Sequence, residues 1–492
     1  MQVELQAGPV AGLAAGGVHA FLGVPYARAD RFEAPRPATW RGVWPATTYG
    51  PAAPQPPGEN FMRAELGQSE DCLSLNVWTP DPVGRRPVMV WIHGGGYRQG
   101  ARSATTYHGE RLASRGDVVV VSINYRLGAL GFLSHPDVAR PDGTTGNCGL
   151  LDQVEALRWV RREIAAFGGD PGNVTIFGES AGGGSVTWLM TSPLARGLVH
   201  RAICQSGPPA VPVPTSYEAH MAERLAKELD TDVAGLRGVP LDDLVAAQVR
   251  VERTSETGMA FLPTVESPIA ERLPVDVFES GDAAPVPLMI GTNTDEWRLW
   301  APTDRNSRAL SDGHLLRRIE KLVGSGAGEV IETYRRERAA RGIGAANNEL
   351  WFAIKTDHFF RAPIRAVIDR HSRHQPTFVY LFDWKSPALG GFMGACHSVE
   401  IPFVFGTHDQ PGVRDWTGHG EAADRLSAQM LAAWTQFARS GDPSTPGLAW
   451  PAFAAASKPT MWFDAHPRVK SAPAEVEVAA LEAASAAQPP PA

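Results

Sequence analysis

The stretch NVTIFGESAGGGSVTWLM, residues 173–190, joins a short apolar, β-branched run to a segment of small residues through a single serine. The first six residues have the composition of a buried strand, and the last ten predict a helix. Between them, Gly178 and Gly182 frame Ser180 in a G-x-S-x-G pattern. In a strand–turn–helix setting this pattern is typical of a nucleophilic serine on a tight turn, where only small residues fit at the two glycine positions. The stretch predicts a catalytic serine, with an ordinary Gly/Ser turn as the alternative.

Strand and helix signals alternate on both sides of this stretch. Continuous apolar or β-branched runs that end in glycine, proline or polar turns predict further strands at residues 73–80, 88–95, 118–125, 287–293 and 377–383. Residues 149–168 carry apolar side chains near helical spacing and end at a glycine, which predicts a helix. The alternation favours an α/β fold in which helices cover both faces of a mainly parallel central sheet.

We expect one catalytic domain over residues 1–492. Within it, residues of about 210–285 and 300–372 are predicted to be helical excursions that cap the site. The chain end is predicted to be an Ala-rich helix followed by a disordered, proline-rich tail at about 486–492.

A second glycine-rich segment, residues 91–97, directly follows a predicted strand. Consecutive glycines let backbone amides approach a ligand without side chains in the way. The amides of Gly95 and Gly96, together with that of Ala181, therefore predict an oxyanion hole. The alternative is a phosphate-binding loop, but the lysine and Ser/Thr of a nucleotide loop are missing. We expect His93 in this segment to have a structural role.

A nucleophilic serine in this setting needs an acid and then a histidine later in the chain. His397 lies in a small-residue loop after the strand at 377–383 and is the candidate base. Its rivals are His358, His371, His374 and His408. Glu296 follows the strand at 287–293 and is the candidate acid. Asp295 and Glu400 compete for the acid role, and spacing does not decide among the three.

Several motifs carry a resemblance to a known family. The run FGGDPGNVTIFGESAG, residues 167–182, matches a serine signature, and EDCLSLNVW, residues 70–78, matches a second signature. Shorter matches occur at residues 124–128, 205–207, 291–296, 397–400 and 403–406. With these motifs the chain resembles the type-B carboxylesterases, a family of carboxylesterases, cholinesterases and some microbial lipases.

The resemblance implies the α/β-hydrolase fold and a triad of Ser180, His397 and Glu296. It also implies that Ser206 lies behind the triad as a hydrogen-bond partner of the acid or the histidine, with a plain turn as the alternative. Candidate substrate-pocket residues are Met62, Trp188, Trp297, Trp300 and Met393. Met62 stands where cholinesterases carry a choline-binding tryptophan, so no cation–π seat for a quaternary ammonium is evident there. Trp297 replaces the glycine that usually follows the acid, and ordinary packing is the alternative for it and for Trp300.

The expected activity is hydrolysis of small to medium neutral esters through an acyl-enzyme intermediate, without a metal or organic cofactor. Alternatives are lipase-type action on longer acyl esters, and a non-catalytic binding module of the same fold. The expected partner is a small-molecule ester, and the expected state is a monomer or small homo-oligomer.

Composition and charge argue against several other classes of protein. A net charge of −7 without a basic block argues against nucleic acid as a partner. The strongest apolar runs are strand-length, so no membrane span is expected. The amino terminus lacks a basic segment followed by a long apolar one, and the four cysteines form no close-spaced framework. These features predict reduced thiols and a cytoplasmic enzyme, although a mature secreted form would look the same.

Overall fold

The computed structural model describes residues 1–15, 17–57, 67–209, 215–255 and 258–487. Its strands are β1 Gln2–Val3, β2 Val10–Ala11, β3 Leu13–Ala15, β4 Val18–Pro25, β5 Ala27–Arg28, β6 Arg36–Pro37, β7 Trp44–Pro45, β8 Ser74–Thr79, β9 Arg86–Ile92, β10 Val119–Ile123, β11 Gly169–Glu179, β12 Arg201–Gln205, β13 Leu288–Asn293, β14 Thr377–Phe382, β15 Thr460–Phe463 and β16 Arg468–Lys470. Its α-helices are α1 Glu110–Gly116, α2 Gly128–Phe132, α3 Cys148–Glu163, α4 Ala181–Thr191, α5 Thr215–Glu228, α6 Leu241–Arg253, α7 Pro274–Ser280, α8 Asp312–Val323, α9 Ala327–Ala340, α10 Asn347–Thr356, α11 Ala362–His371, α12 Ile401–Phe405, α13 Arg414–Thr417, α14 Glu421–Ser440 and α15 Glu475–Ala486.

A central sheet of 11 strands has the order β16-β15-β14-β13-β12-β11-β9-β10-β8-β4-β3. All neighbours from β15 to β10 pair in parallel, whereas the pairs at both edges are antiparallel. The parallel strands point the same way, so the loops after β9, β11, β13 and β14 meet at one edge. In such sheets the ligand site lies at the carboxyl ends of the strands. This confirms the predicted α/β architecture and fixes where the site must be.

Each strand in the middle of the sheet is buried on both faces. In β9, Val88, Val90 and Ile92 contribute to one apolar core, while Met89 and Trp91 contribute to the core on the opposite face. This split follows from the alternation of side chains along a strand. Helices α3 and α4 pack in the first core, and α14 packs in the second. The continuous apolar run in the sequence therefore marks a strand covered by helices on both faces.

The predicted helical excursions contain α5 to α7 and α8 to α11. Helices α8, α9 and α10 share a third apolar core with Leu481 of α15. We keep as a proposal that both regions are excursions of one catalytic domain. Residues 488–492 of the predicted tail, and Met62, lie outside the described residues.

Two further observations bear on the predictions of reduced thiols and of no membrane span. Cys72, Cys148, Cys204 and Cys396 are all free and buried. In the part of the chain that the structure describes, no helix combines the length and apolar character needed to cross a membrane.

Candidate active site

Ser180 lies on the turn between β11 and α4, and its backbone is strained. Its φ of 57° and ψ of −124° are rarely adopted by an L-residue. A Cβ added at Gly178 would lie 2.5 Å from the carbonyl carbon of Gly182, and one added at Gly182 would lie 2.0 Å from the Ile92 oxygen. Both glycines are therefore required by close backbone approach. The Ser180 amide donates a 2.9 Å hydrogen bond to the Gln205 oxygen, which ties the turn to β12.

The loop after β9 presents the predicted oxyanion amides. Gly95 and Gly96 have φ of 107° and 64°, and both line the same cavity as Ser180 and Ala181. A Cβ at Gly95 would lie 2.1 Å from the Gln99 oxygen, so the loop closes on itself only with glycine. Within the described residues, neither the Gly95 nor the Gly96 amide donates a hydrogen bond. Both N–H groups are thus available for an oxygen bound in the cavity.

His397 and Glu296 form a short, buried pair. The imidazole Nδ1 lies 2.7 Å from Glu296 Oε2. The other oxygen, Oε1, accepts hydrogen bonds from the Asn293 amide at 2.7 Å and from Ser206 Oγ at 2.6 Å. The carboxylate is thus held at both oxygens, and it fixes the orientation of the ring. The Ser206 bond connects the acid to the end of β12.

The Nε2 atom of His397 faces a further acidic side chain. Glu179 Oε1 lies 3.0 Å from it, and Nε2 has no hydrogen-bond partner among the described residues. Burial alone would lower the pKa of His397, but the nearby carboxylates of Glu179 and Glu296 outweigh burial and raise the pKa. Ser180 and His397 line the same cavity. Of the two ring nitrogens, Nε2 is the one that is not bonded to Glu296, so it is the one that could accept a proton from a group in the cavity.

Two more buried carboxyls surround the pair. Burial is the main cause that raises the pKa of both Glu179 and Glu400. Glu179 Oε1 accepts a hydrogen bond from Ser398 Oγ at 2.5 Å, and Glu400 Oε2 accepts one from Asn293 Nδ2 at 2.6 Å. Glu179 was not among the predicted site residues. It occupies the unconstrained second position of the G-x-S-x-G pattern, where the motif gives no signal.

The rival candidates are engaged elsewhere. Asp295 Oδ2 lies 2.8 Å from Lys385 Nζ and accepts a hydrogen bond from the Ala395 amide at 2.9 Å. Glu400 does not contact His397 Nδ1, which is bonded to Glu296. The cavity is not lined by any of the rival histidines, His358, His371, His374 and His408.

The cavity beside Ser180 has a volume of about 360 Å³ and a largely apolar wall. Trp297 and Trp300 line one side together with Phe359 and Phe360. The Phe360 ring centroid lies 4.7 Å from that of His397. This volume is in the range of small-molecule sites. The two tryptophans that follow the candidate acid thus border the space in which a substrate would bind.

Two pocket predictions are wrong. Trp188 is 1% exposed and packs in the core on one face of the sheet, because its position on α4 points it away from the cavity. Met393 is 6% exposed and packs in the core on the opposite face. Neither residue lines the cavity.

His93 has structural contacts. Its ring stacks on Tyr125 with centroids 4.5 Å apart, and burial lowers its pKa to about 4. Among the described residues, no group of three or more His, Cys, Asp or Glu side chains is arranged to hold a metal ion.

The chain is similar to known carboxylesterases in both sequence and structure. A model of the carboxylesterase family matches residues 1–481. The chain is 36% identical over 487 residues to a para-nitrobenzyl esterase of Bacillus subtilis (strain 168), with 96% of each protein covered. It is 35% identical over 475 residues to a phenmedipham hydrolase of Pseudarthrobacter oxydans, covering 91% of this chain and 92% of that protein. A crystal structure of a Geobacillus stearothermophilus carboxylesterase superposes with a TM-score of 0.88 at 36% identity, covering 98% of this chain and 99% of that chain.

Proposed function

The chain belongs to the carboxylesterase family and hydrolyses carboxylic esters, and we propose that it does so with Ser180, His397 and Glu296 as its triad. It has the α/β-hydrolase fold. The observation that carries the proposal is the 2.7 Å contact between His397 Nδ1 and Glu296 Oε2 at a cavity that Ser180 also lines. A histidine oriented by a carboxylate and facing a serine is the arrangement that activates a hydroxyl as a nucleophile.

In the first half-reaction, Ser180 Oγ attacks the ester carbonyl while its proton passes to His397 Nε2. The carbonyl oxygen becomes an oxyanion, which the amides of Gly95, Gly96 and Ala181 stabilise. The tetrahedral intermediate then collapses. The alcohol leaves with the proton from His397, and the acyl group stays on the serine.

In the second half-reaction, a water molecule replaces the alcohol. His397 takes a proton from the water, and the resulting hydroxide attacks the acyl-enzyme. The second intermediate expels the serine, which recovers its proton from His397, and the acid product leaves. Glu296 stabilises the imidazolium in both halves, and Ser206 with the Asn293 amide holds Glu296 in place.

The substrates are proposed to be small to medium neutral esters. The support is a cavity of about 360 Å³ whose wall is mostly aromatic and aliphatic. We further propose a cytoplasmic monomer or small homo-oligomer. Four free, buried cysteines support a reducing compartment.

Hydrolysis of p-nitrophenyl esters from acetate to laurate tests the proposal. Ser180→Ala should lower kcat on the acetate by about a million-fold, because loss of a triad nucleophile removes the covalent route. Ser114→Ala, a change at an exposed serine, is the control and should leave the rate unchanged. Retention of most activity by Ser180→Ala would refute the assignment. The rate along the series should fall once the acyl chain exceeds the cavity.

A further inference from the structure

A lysine packs against the aromatic residues that form the wall of the cavity. Lys355, on α10, places its Nζ 4.1 Å from the ring centroid of Trp297. The same Nζ lies 5.7 Å from the ring of Trp351 and 5.9 Å from that of Phe359. Trp297 and Phe359 line the cavity, whereas Lys355 does not. The ammonium therefore lies against a ring that borders the cavity without itself lining it.

The charge of Lys355 is not neutralised by a neighbour. Among the described residues, no carboxylate lies within ion-pairing distance of its Nζ, and burial alone lowers its pKa to about 8. His358 adds no further positive charge, since burial and Lys355 lower its pKa to about 4 and keep it neutral. Arg98 provides the contrast. It lines the same cavity but forms an ion pair with Glu252, so its charge is balanced.

We propose that Lys355 is a specificity-determining residue that makes the Trp297 side of the cavity reject esters with a quaternary ammonium group. An aromatic ring attracts a cation through its negative face. Here Lys355 already places a positive charge 4.1 Å from the Trp297 ring. A second cation brought to the cavity side of the same rings is repelled by that charge, which no carboxylate among the described residues pairs. A neutral group of the same shape meets only apolar surface.

This inference rests on the proposed function, because the wall acts on specificity only if the cavity receives the ester. Its test compares butyrylthiocholine with its uncharged carbon isostere, 3,3-dimethylbutyl thiobutyrate. Both esters share the acyl group and a thiol leaving atom, so the ratio of their kcat/KM values isolates the effect of charge. The variants are Lys355→Met, which removes the ammonium, and Lys355→Arg, which retains a positive charge.

We expect Lys355→Met to raise the ratio of cationic to neutral turnover by about tenfold, the scale of one partly desolvated charge pair, and Lys355→Arg to keep it near the wild-type value. Lys470→Met is the matched control. Lys470 Nζ lies 3.8 Å from the ring of Trp462, a cation–π pair whose rings do not line this cavity. An unchanged ratio in Lys355→Met, or an equal rise in Lys470→Met, would overturn the proposal.

A binding measurement separates this inference from the catalytic assignment. In a Ser180→Ala background, quenching of tryptophan fluorescence reports binding of phenyltrimethylammonium and of its neutral isostere, tert-butylbenzene. The proposal requires Lys355→Met to tighten binding of the cation about tenfold relative to the isostere. Equal affinities before and after the change would refute it, whatever the esterase rates are. Failure of the triad would instead appear as wild-type hydrolysis that Ser180→Ala leaves intact.

Discussion

Glu296 and Asp295 are adjacent in the chain, yet their surroundings give them different roles. Glu296 is fully buried and bonded to His397, whereas Asp295 forms ion pairs with Lys385 and Arg298. The strand end explains the difference. The 3-10 turn at Glu296–Leu299 directs the first side chain inward, and the preceding residue faces the neighbouring loop.

Glu296→Gln should lower kcat by about a thousand- to ten-thousand-fold, because the neutral amide neither stabilises the imidazolium nor fixes the reactive tautomer. Steady-state kinetics with p-nitrophenyl acetate measures the loss. Asp295→Asn is the adjacent control and should retain activity within about tenfold, since it removes only the ion pairs with Lys385 and Arg298. If the two losses were reversed, the acid role would belong to Asp295.

Glu179 is expected to influence the pH at which kcat/KM falls on the acid side of its profile. Its carboxylate, 3.0 Å from His397 Nε2, favours the protonated imidazole and so raises the pKa of His397. Only the neutral imidazole acts as a base. Glu179→Gln should therefore shift the acid limb of kcat/KM to lower pH, because less of the histidine is protonated at a given pH. The exposed change Asp137→Asn should leave the limb in place. A limb that moved to higher pH in Glu179→Gln would contradict this role.

The nucleophile turn is an element whose geometry depends on backbone packing. Gly182→Ala should lower the free energy of unfolding by about 3 kcal/mol or more, since the new Cβ would overlap the Ile92 oxygen at 2.0 Å. Urea unfolding measures it. Gly172→Ala lies in β11, the strand that leads into the turn, and the atom nearest its Cβ, in Asp170, lies 3.3 Å away, so it should shift stability by no more than about 1 kcal/mol. Equal effects would show that close approach does not determine the turn.

Elements with continuous apolar runs were predictable from the sequence. The predicted strands at 88–95 and 377–383 correspond to β9 and β14, with ends that agree to within three residues. Helix α14 was not predicted, although Leu426, Met430 and Trp434 repeat every four residues along it. Its helical pattern lies in a segment that carries none of the matched motifs.

Parts of the site could not be predicted because they depend on contacts between distant segments. Glu179 acquires a role only when β14 is followed by a loop that brings His397 and Ser398 against it. Trp188 is a large aromatic residue of the kind that often lines pockets, but it lies on the face of α4 that packs in the core. The spacing of neighbouring residues in the sequence predicts neither the role of Glu179 nor the burial of Trp188. The resemblance identified Glu296 among three acids that spacing left open, and the structure pairs that residue with His397.

In the molecule as a whole, the residues proposed for catalysis lie at the edge of the sheet, whereas much of the wall that would contact the substrate comes from the helices. The sheet edge supplies Ser180, the glycine amides and the His397–Glu296 pair. The helical region that contains α10 and α11 supplies much of the aromatic wall, through Phe359 and Phe360 at their junction. Substitutions in the helices can therefore change substrate specificity, while the residues at the sheet edge still carry out the same reaction.

The pH dependence of the free energy of unfolding tests how the helices beside the cavity are attached to the rest of the protein. Glu218 on α5 is buried. Its Oε1 accepts a 3.3 Å hydrogen bond from the amide of Leu262, a cavity residue, and burial raises its pKa to about 9. A raised folded pKa means that its stabilising contribution is complete below the unfolded value of about 4.5 and is lost as pH rises towards 9. Glu218→Gln should therefore increase the free energy of unfolding at pH 8.5 by about 1 to 3 kcal/mol and change it little at pH 4.5. Thermal unfolding across this range, with the exposed Glu223→Gln on the same helix as control, measures the effect. An unchanged or lower free energy of unfolding at pH 8.5 would instead show that the Glu218 carboxyl is ionised in the folded protein at that pH.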